Sequence, residues 1–130
     1  MRRVLSACLV AAMALAAFSA FAVAAEKAAA KSQTVTGEVI DLGCFLGHSA
    51  KGAAHKECAA NCVANGMPMG LLTDKGVLYL LTLNHDDADP FNKTKGWAGE
   101  QVKVTGVVNV RQGMKALQVN AAEPVAAPAK

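Results

Sequence analysis

CFLGHSAKGAAHKECAANCVANGMPM, residues 44–69, is the stretch around which this chain is organised. It holds every cysteine outside the N-terminal segment and two of the three histidines. A helix over residues 52–65 would place His55, Cys58 and Cys62 on one face, because residues three, four and seven positions apart share a side of an α-helix. Cys44 would reach this face from the preceding strand. The pattern therefore predicts either a metal site or a corner closed by a disulfide.

The first 25 residues have the pattern of a signal peptide. Arg2 and Arg3 precede an apolar, alanine-rich run that ends in the small residues AVA at 22–24. A basic start, a short apolar core and an A-x-A end are typical of Sec-type export. The run is near the lower length limit for a retained membrane anchor. We therefore predict a signal peptide over 1–25 and a periplasmic or secreted protein that meets the membrane only through this cleaved segment.

Composition limits the mature protein to one small domain. Of 130 residues, 105 remain after residue 25, which is enough for a single hydrophobic core. Without Arg2 and Arg3, 11 basic residues face 10 acidic ones, and no basic run contains interleaved aromatic residues. This balance predicts no nucleic-acid partner. We place the domain at 33–120 and predict that the Ala/Pro-rich tail, residues 121–130, is disordered.

Strand patterns dominate the domain. Period-two or continuous apolar runs between turn residues predict strands at 33–42, 71–73, 77–83, 101–110 and 114–119. Residues 45–52 are predicted to be a loop, and Asn65-Gly66 is a good end for the helix. A second, short helix is predicted at 89–97, with Asp89 as its N-cap. The fold class is mostly β with one principal helix: a five-stranded OB-like small barrel with that helix inserted between the first and second strands.

Several strings in the chain are similar to those of a poorly characterised group of small exported bacterial OB-like domains. They are GEVIDLGC (37–44), HKECAANC (55–62), GMPMG (66–70), GVLYLL (76–81) and, less specifically, GEQVKVTG (99–106). The resemblance covers residues 34–119. It implies export and a compact β domain, and it implies no reaction.

The number of cysteines is the most informative count. Cys8 belongs to the predicted signal peptide, which leaves Cys44, Cys58 and Cys62 in an oxidising compartment. Three thiols cannot all pair within one chain. A disulfide between Cys58 and Cys62 would strain a regular helix, since Cβ atoms four residues apart lie about 5–6 Å from each other, whereas a disulfide needs about 3.5–4.5 Å. Cys44 could instead pair with either of the other two.

The predicted metal site uses soft donors. Its candidate ligands are Cys44, His55, Cys58 and Cys62, with Met67 and Met69 as thioether donors just past the helix. Three thiolates and an imidazole suit zinc, whereas thiolates with thioethers suit Cu(I). Ordinary core packing is the competing interpretation of both methionines. His48 and His85 are interpreted as loop and turn residues.

These patterns predict an exported protein that binds copper or zinc for sequestration or handover, with a metal-donor or metal-acceptor protein as its partner. The alternative is an OB-like binding module, stapled by one disulfide, for a protein or envelope ligand. The sequence has no C-x-x-C, C-x-x-C-H, G-x-S-x-G or phosphate-binding glycine loop. We therefore predict that the protein is not an enzyme.

Overall fold

The computed structural model describes residues 31–126 and shows a mostly β protein, with five strands in one sheet and three α-helices in this range. The strands are β1 (Ser32–Asp41), β2 (Met69–Leu72), β3 (Leu78–Leu83), β4 (Gln101–Arg111) and β5 (Met114–Pro124). The helices are α1 (Leu42–His48), α2 (Lys56–Ala64) and α3 (Asp89–Thr94), with 3₁₀ turns at Ala53–His55 and Lys95–Trp97. The predicted mostly β class is confirmed. The predicted signal peptide and residues 127–130 lie outside the described residues.

The sheet closes on itself in the order β1-β2-β3-β5-β4, because β4 also pairs with β1. Neighbouring strands are antiparallel except for β3 and β5. β1 pairs with β4 over residues 32–38 and with β2 over residues 38–41. Gly37 stands where β1 changes partner, and a Cβ atom there would collide with the carbonyl group of Leu72. The absence of a side chain thus permits the close approach of β1 to β2.

Alternate aliphatic residues fill the interior of the barrel, as expected for strands with one buried face. Val39 of β1 lies opposite Leu71 of β2, and neither has exposed surface. Fully buried residues from the last two strands complete this layer: Val102, Val104, Leu117 and Val119. Because Val39 anchors β1 in the core, the residues that follow it are held at one end of the barrel.

Two α-helices, not one principal helix, lie between β1 and β2. The prediction of a loop over 45–52 is wrong for residues 45–48, which belong to α1. The Asp41 side chain caps the start of α1, and Ser49 ends it in a left-handed conformation with φ 56°. The Ser49 N–H returns to the carbonyls of Cys44 and Phe45. These caps stabilise a short helix in a segment where Gly47 and Gly52 favour a loop.

The predicted helix over 52–65 is found as the 3₁₀ turn followed by α2. Ala59 and Val63, one turn apart, are the buried residues of α2 and belong to the main core. The helix ends at Ala64 with Asn65 as its C-cap, and Gly66 has a φ of 95°, in keeping with the predicted stop. The packing of this one face determines the direction in which the rest of α2 points.

Two further boundaries differ from the predictions. Asp89 is the first residue of α3 and not its N-cap, which is Ala88; the Asp89 N–H donates to Asp87 Oδ1 at 3.1 Å. β5 continues to Pro124, so residues 121–124 are not disordered. Residues 121–124 pair with residues 102–105 of β4. The backbone hydrogen bonds of this pairing hold the segment in place, although its side chains have little preference for strands.

Candidate metal centre

Cys44 is positioned by the junction between β1 and α1. Asp41 is the last residue of β1 and the N-cap of α1, and its Oδ1 accepts a hydrogen bond from the Cys44 N–H at 3.1 Å. Cys44 is the third residue of α1 and is partly buried. The cap therefore fixes the backbone of the first thiol relative to the barrel end.

Cys58 and Cys62 are positioned by the packing of α2. Each directly precedes one of the buried residues, Ala59 and Val63, so the two cysteines form a neighbouring stripe on the helix. Cys58 is exposed and Cys62 is partly buried. The stripe consequently lies at the border between the core and solvent, where an ion could reach it.

The three thiols converge. The Sγ atoms of Cys44, Cys58 and Cys62 all lie within 4.8 Å of one another, and all three cysteines are free. An ion with metal–sulfur bonds of about 2.3 Å holds its sulfurs about 3.8 Å apart in a tetrahedral site. A disulfide would need a separation of about 2.05 Å. The thiol cluster, as we call these three residues, is therefore compatible with a shared ion without a change of fold.

Electrostatics favour the protonated form of two of the three thiols, Cys44 and Cys62, through raised pKa values. A hydrogen bond to the Asp41 carboxylate raises the pKa of the Cys44 thiol from its ordinary 9.0 to about 12, and burial and the negative charge of Asp41 act in the same direction. Burial also raises the pKa of Cys62, with a contribution from its hydrogen bond to Cys58. Raised values are the opposite of those of an activated, nucleophilic thiol. A metal that binds here must displace protons.

Asp41 is the functional candidate that the sequence analysis missed. It is one of two buried polar residues in the described range, with 1% of its surface exposed. Burial alone would raise its pKa, but hydrogen bonds from the Cys44 backbone and thiol, from His55 and from the Gly43 backbone outweigh burial and lower the pKa below 3.8. A fixed negative charge thus lies beside Cys44. The sequence signal that could have identified it is an aspartate near the end of a predicted strand, three residues before a cysteine. Aspartate is a favoured N-cap residue, and Asp41 caps α1.

His55 lies with Asp41 and not with the whole thiol cluster. One ring nitrogen of His55, one carboxylate oxygen of Asp41 and the Cys44 Sγ lie within 4.8 Å of one another. His55 Nε2 is 3.5 Å from Asp41 Oδ2. The four predicted ligands Cys44, His55, Cys58 and Cys62 are therefore distributed over two groups that share Cys44.

The two methionines have different surroundings. Met69 is 2% exposed and packs in the main core. Met67 is 39% exposed, and its Sδ lies so close to Gly43 that a Cβ atom there would be 2.7 Å from it. Gly43 directly precedes Cys44, so the thioether of Met67 is exposed beside the segment that carries Cys44, whereas that of Met69 is buried. His48, at the end of α1, and His85, in the turn after β3, are both exposed and belong to neither donor group.

Among the described residues, no helix combines the length and the apolar character needed to cross a membrane. Comparison of the chain with protein-family models, with curated proteins and with solved structures found no match.

Proposed function

We propose that this chain is an exported, OB-like protein that binds a soft metal ion, copper or zinc, and that it serves in sequestration or handover of the metal. The observation that carries the proposal is the convergence of three free thiols, from two helices, within 4.8 Å. Cys44 is 14 positions away from Cys58 in the sequence, so a chance cluster from local helix geometry does not account for it.

The OB-like assignment is supported by the order of the strands. Five strands that close as β1-β2-β3-β5-β4, with a helix between β3 and β4, are typical of small OB-like barrels. The inserted helices α1 and α2 would then be an addition that carries the metal site. Export is supported by the N-terminal sequence pattern alone.

The donor set favours Cu(I) as the cargo of the thiol cluster. Three thiolates are soft ligands, which bind both Cu(I) and Zn(II), and Cu(I) is the softer of these two ions. The exposure of Cys58 leaves one ligand accessible to a donor or acceptor protein, as handover requires. The Asp41 carboxylate supplies negative charge that favours a cation beside Cys44.

The experiment that tests the function is the intact mass of natively purified protein, before and after alkylation of its thiols. A bound metal and three alkylated cysteines after chelation would support the metal-binding function and would identify the ion. A loss of two hydrogens, no metal and a single alkylated cysteine would overturn it in favour of the disulfide-stapled binding module.

A further inference from the structure

We propose that Asp41, Cys44 and His55 form a second metal position, selective for a divalent ion of intermediate softness such as Zn(II), and that this position competes with the thiol cluster for Cys44. The inference rests on the proposed function only for Cys44, which is a donor in both positions. Asp41 and His55 are donors of this second position alone. We call these three residues the mixed-donor group.

The hydrogen bond between Asp41 and His55 is long, and its length matches the separation of two ligands of one ion. His55 Nε2 and Asp41 Oδ2 are 3.5 Å apart. In a tetrahedral zinc site, nitrogen and oxygen ligands with bonds of about 2.0–2.1 Å are about 3.4 Å from each other. A charge-assisted hydrogen bond between the same groups would be about 2.7–2.9 Å long. The third donor, the Cys44 Sγ, lies within 4.8 Å of both.

The two oxygens of Asp41 have different roles. Oδ1 accepts the N–H of Cys44 and so caps α1. Oδ2 faces His55. The carboxylate can therefore bind an ion through Oδ2 while Oδ1 keeps the helix cap, and the hydrogen bond from the backbone holds it in position. This is the arrangement in which an outer hydrogen bond orients a metal ligand.

Access to the mixed-donor group is from the side of His55. The Asp41 side chain has no exposed surface, whereas 20% of the His55 side chain is exposed. His55 ends the 3₁₀ turn, and the N–H of Gly52, just before that turn, donates to Glu38 on β1. The segment that carries His55 is therefore hydrogen-bonded to β1. A water molecule could complete the coordination of an ion from the exposed side of the imidazole.

The chemistry of the donors separates the two positions. One carboxylate oxygen, one imidazole nitrogen and one thiolate suit Zn(II), which accepts all three types of ligand. Three thiolates suit Cu(I). Because both groups need the Cys44 sulfur, we infer that Cu(I) in the thiol cluster expels Zn(II) from the mixed-donor group.

The test uses Co(II) as a spectroscopic substitute for Zn(II), since the intensity of its thiolate charge-transfer band rises with the number of bound thiolates. The variants are Asp41→Asn and His55→Gln, with Asp74→Asn and His48→Gln as controls at an exposed carboxylate and an exposed imidazole. We expect the first two variants to weaken Co(II) and Zn(II) binding by about tenfold or more and the controls to leave it unchanged. Cu(I) affinity should be unchanged in His55→Gln and in both controls, because none of these replacements alters the thiol cluster or the charge of Asp41 beside Cys44.

The complementary variant is the double replacement Cys58→Ser and Cys62→Ser. It should keep Co(II) with the band of a single thiolate and lose tight Cu(I) binding. Loss of Co(II) binding in this variant, or wild-type Co(II) affinity in both Asp41→Asn and His55→Gln, would overturn the second position. Wild-type Cu(I) affinity in the double variant would instead overturn the thiol cluster as the site of the proposed function.

The fold is preserved by the choice of substitutions. Asparagine is as good an N-cap as aspartate, so Asp41→Asn should retain α1. If its thermal unfolding without metal nevertheless differs from that of the wild type, His55→Gln decides the matter alone, because His55 caps no helix with its side chain. Addition of Cu(I) to the Co(II)-loaded wild type should release Co(II). Retention of both ions would overturn the competition.

Discussion

The carboxylate of Asp41 accepts the N–H of Cys44 at 3.1 Å, and the same carboxylate raises the pKa of the Cys44 thiol. One side chain thus begins α1 and sets the charge beside the first thiol of the cluster. Asp41 has a structural role in the metal-free protein. Its negative charge also favours a cation bound beside Cys44.

Replacement of Asp41 by Asn should shift the alkylation of Cys44 to lower pH. The hydrogen bond to the Asp41 carboxylate raises the pKa of the Cys44 thiol to about 12, and burial and the negative charge of the carboxylate act in the same direction. Asparagine removes the charge and lowers the pKa of the thiol. The measurement is the rate of iodoacetamide labelling of Cys44 against pH in metal-free protein, resolved by peptide mass mapping. The control Asp74→Asn should not shift the pH dependence of Cys44 labelling. An unshifted pH dependence in Asp41→Asn would contradict the prediction.

The replacement Cys58→Ala should affect metal binding and not the stability of the metal-free fold. Cys58 is exposed, and exposed substitutions usually change the free energy of unfolding by less than about 0.5 kcal/mol. An ion bound only to the folded state raises the unfolding temperature. We expect that increase, on addition of Cu(I), to be smaller in Cys58→Ala than in the wild type.

The control for this experiment is Asn61→Ala, at an exposed position of the same helix that belongs to neither donor group. It should show the full increase in unfolding temperature with Cu(I). Equal increases in Cys58→Ala and the wild type would mean that Cys58 is not a ligand.

The face of α2 that packs on the core should determine the geometry of the thiol cluster. Ala59 is 2% exposed, so Ala59→Leu has no room and should push α2 outward, at a cost of about 1–3 kcal/mol in the free energy of unfolding. The displacement carries Cys58 and Cys62 away from Cys44 and should weaken Cu(I) binding. Ala60→Leu, at the adjacent exposed position, is the matched control. Denaturant unfolding and a Cu(I) competition assay measure the two effects; equal behaviour of the two variants would refute the prediction.

The replacement Gly47→Ala should stabilise the protein, because residue 47 is in a helix and not in a loop. No atom lies within 4 Å of an added Cβ, and alanine in a helix is favoured over glycine by about 0.5–1 kcal/mol. Gly52→Ala is the contrasting variant: its site is equally open, but its φ of 77° disfavours alanine. Denaturant midpoints should move in opposite directions. A destabilised Gly47→Ala would argue against α1.

Much of the fold follows from local patterns. Period-two runs such as residues 101–110 located the strands, and the Asn65-Gly66 pair located the end of α2 to within a residue. α1 was missed because its cap, Asp41, lies in a segment whose apolar pattern is that of a strand. The tail was misjudged at residues 121–124, since order there comes from backbone pairing with β4 and not from side chains.

The sequence by itself determined which groups are available: three cysteines within residues 44–62, and a histidine at helical spacing from two of them. Only the tertiary structure decided how they are grouped. The packing of Ala59 and Val63 in the main core places Cys58 and Cys62 of α2 near Cys44 of α1, which unites the three thiols. The same packing puts His55 beside Asp41, a residue 14 positions earlier. Helical periodicity relates neighbours along one helix, whereas contacts between elements depend on how each element buries its apolar face, and that is settled only when the whole chain has folded.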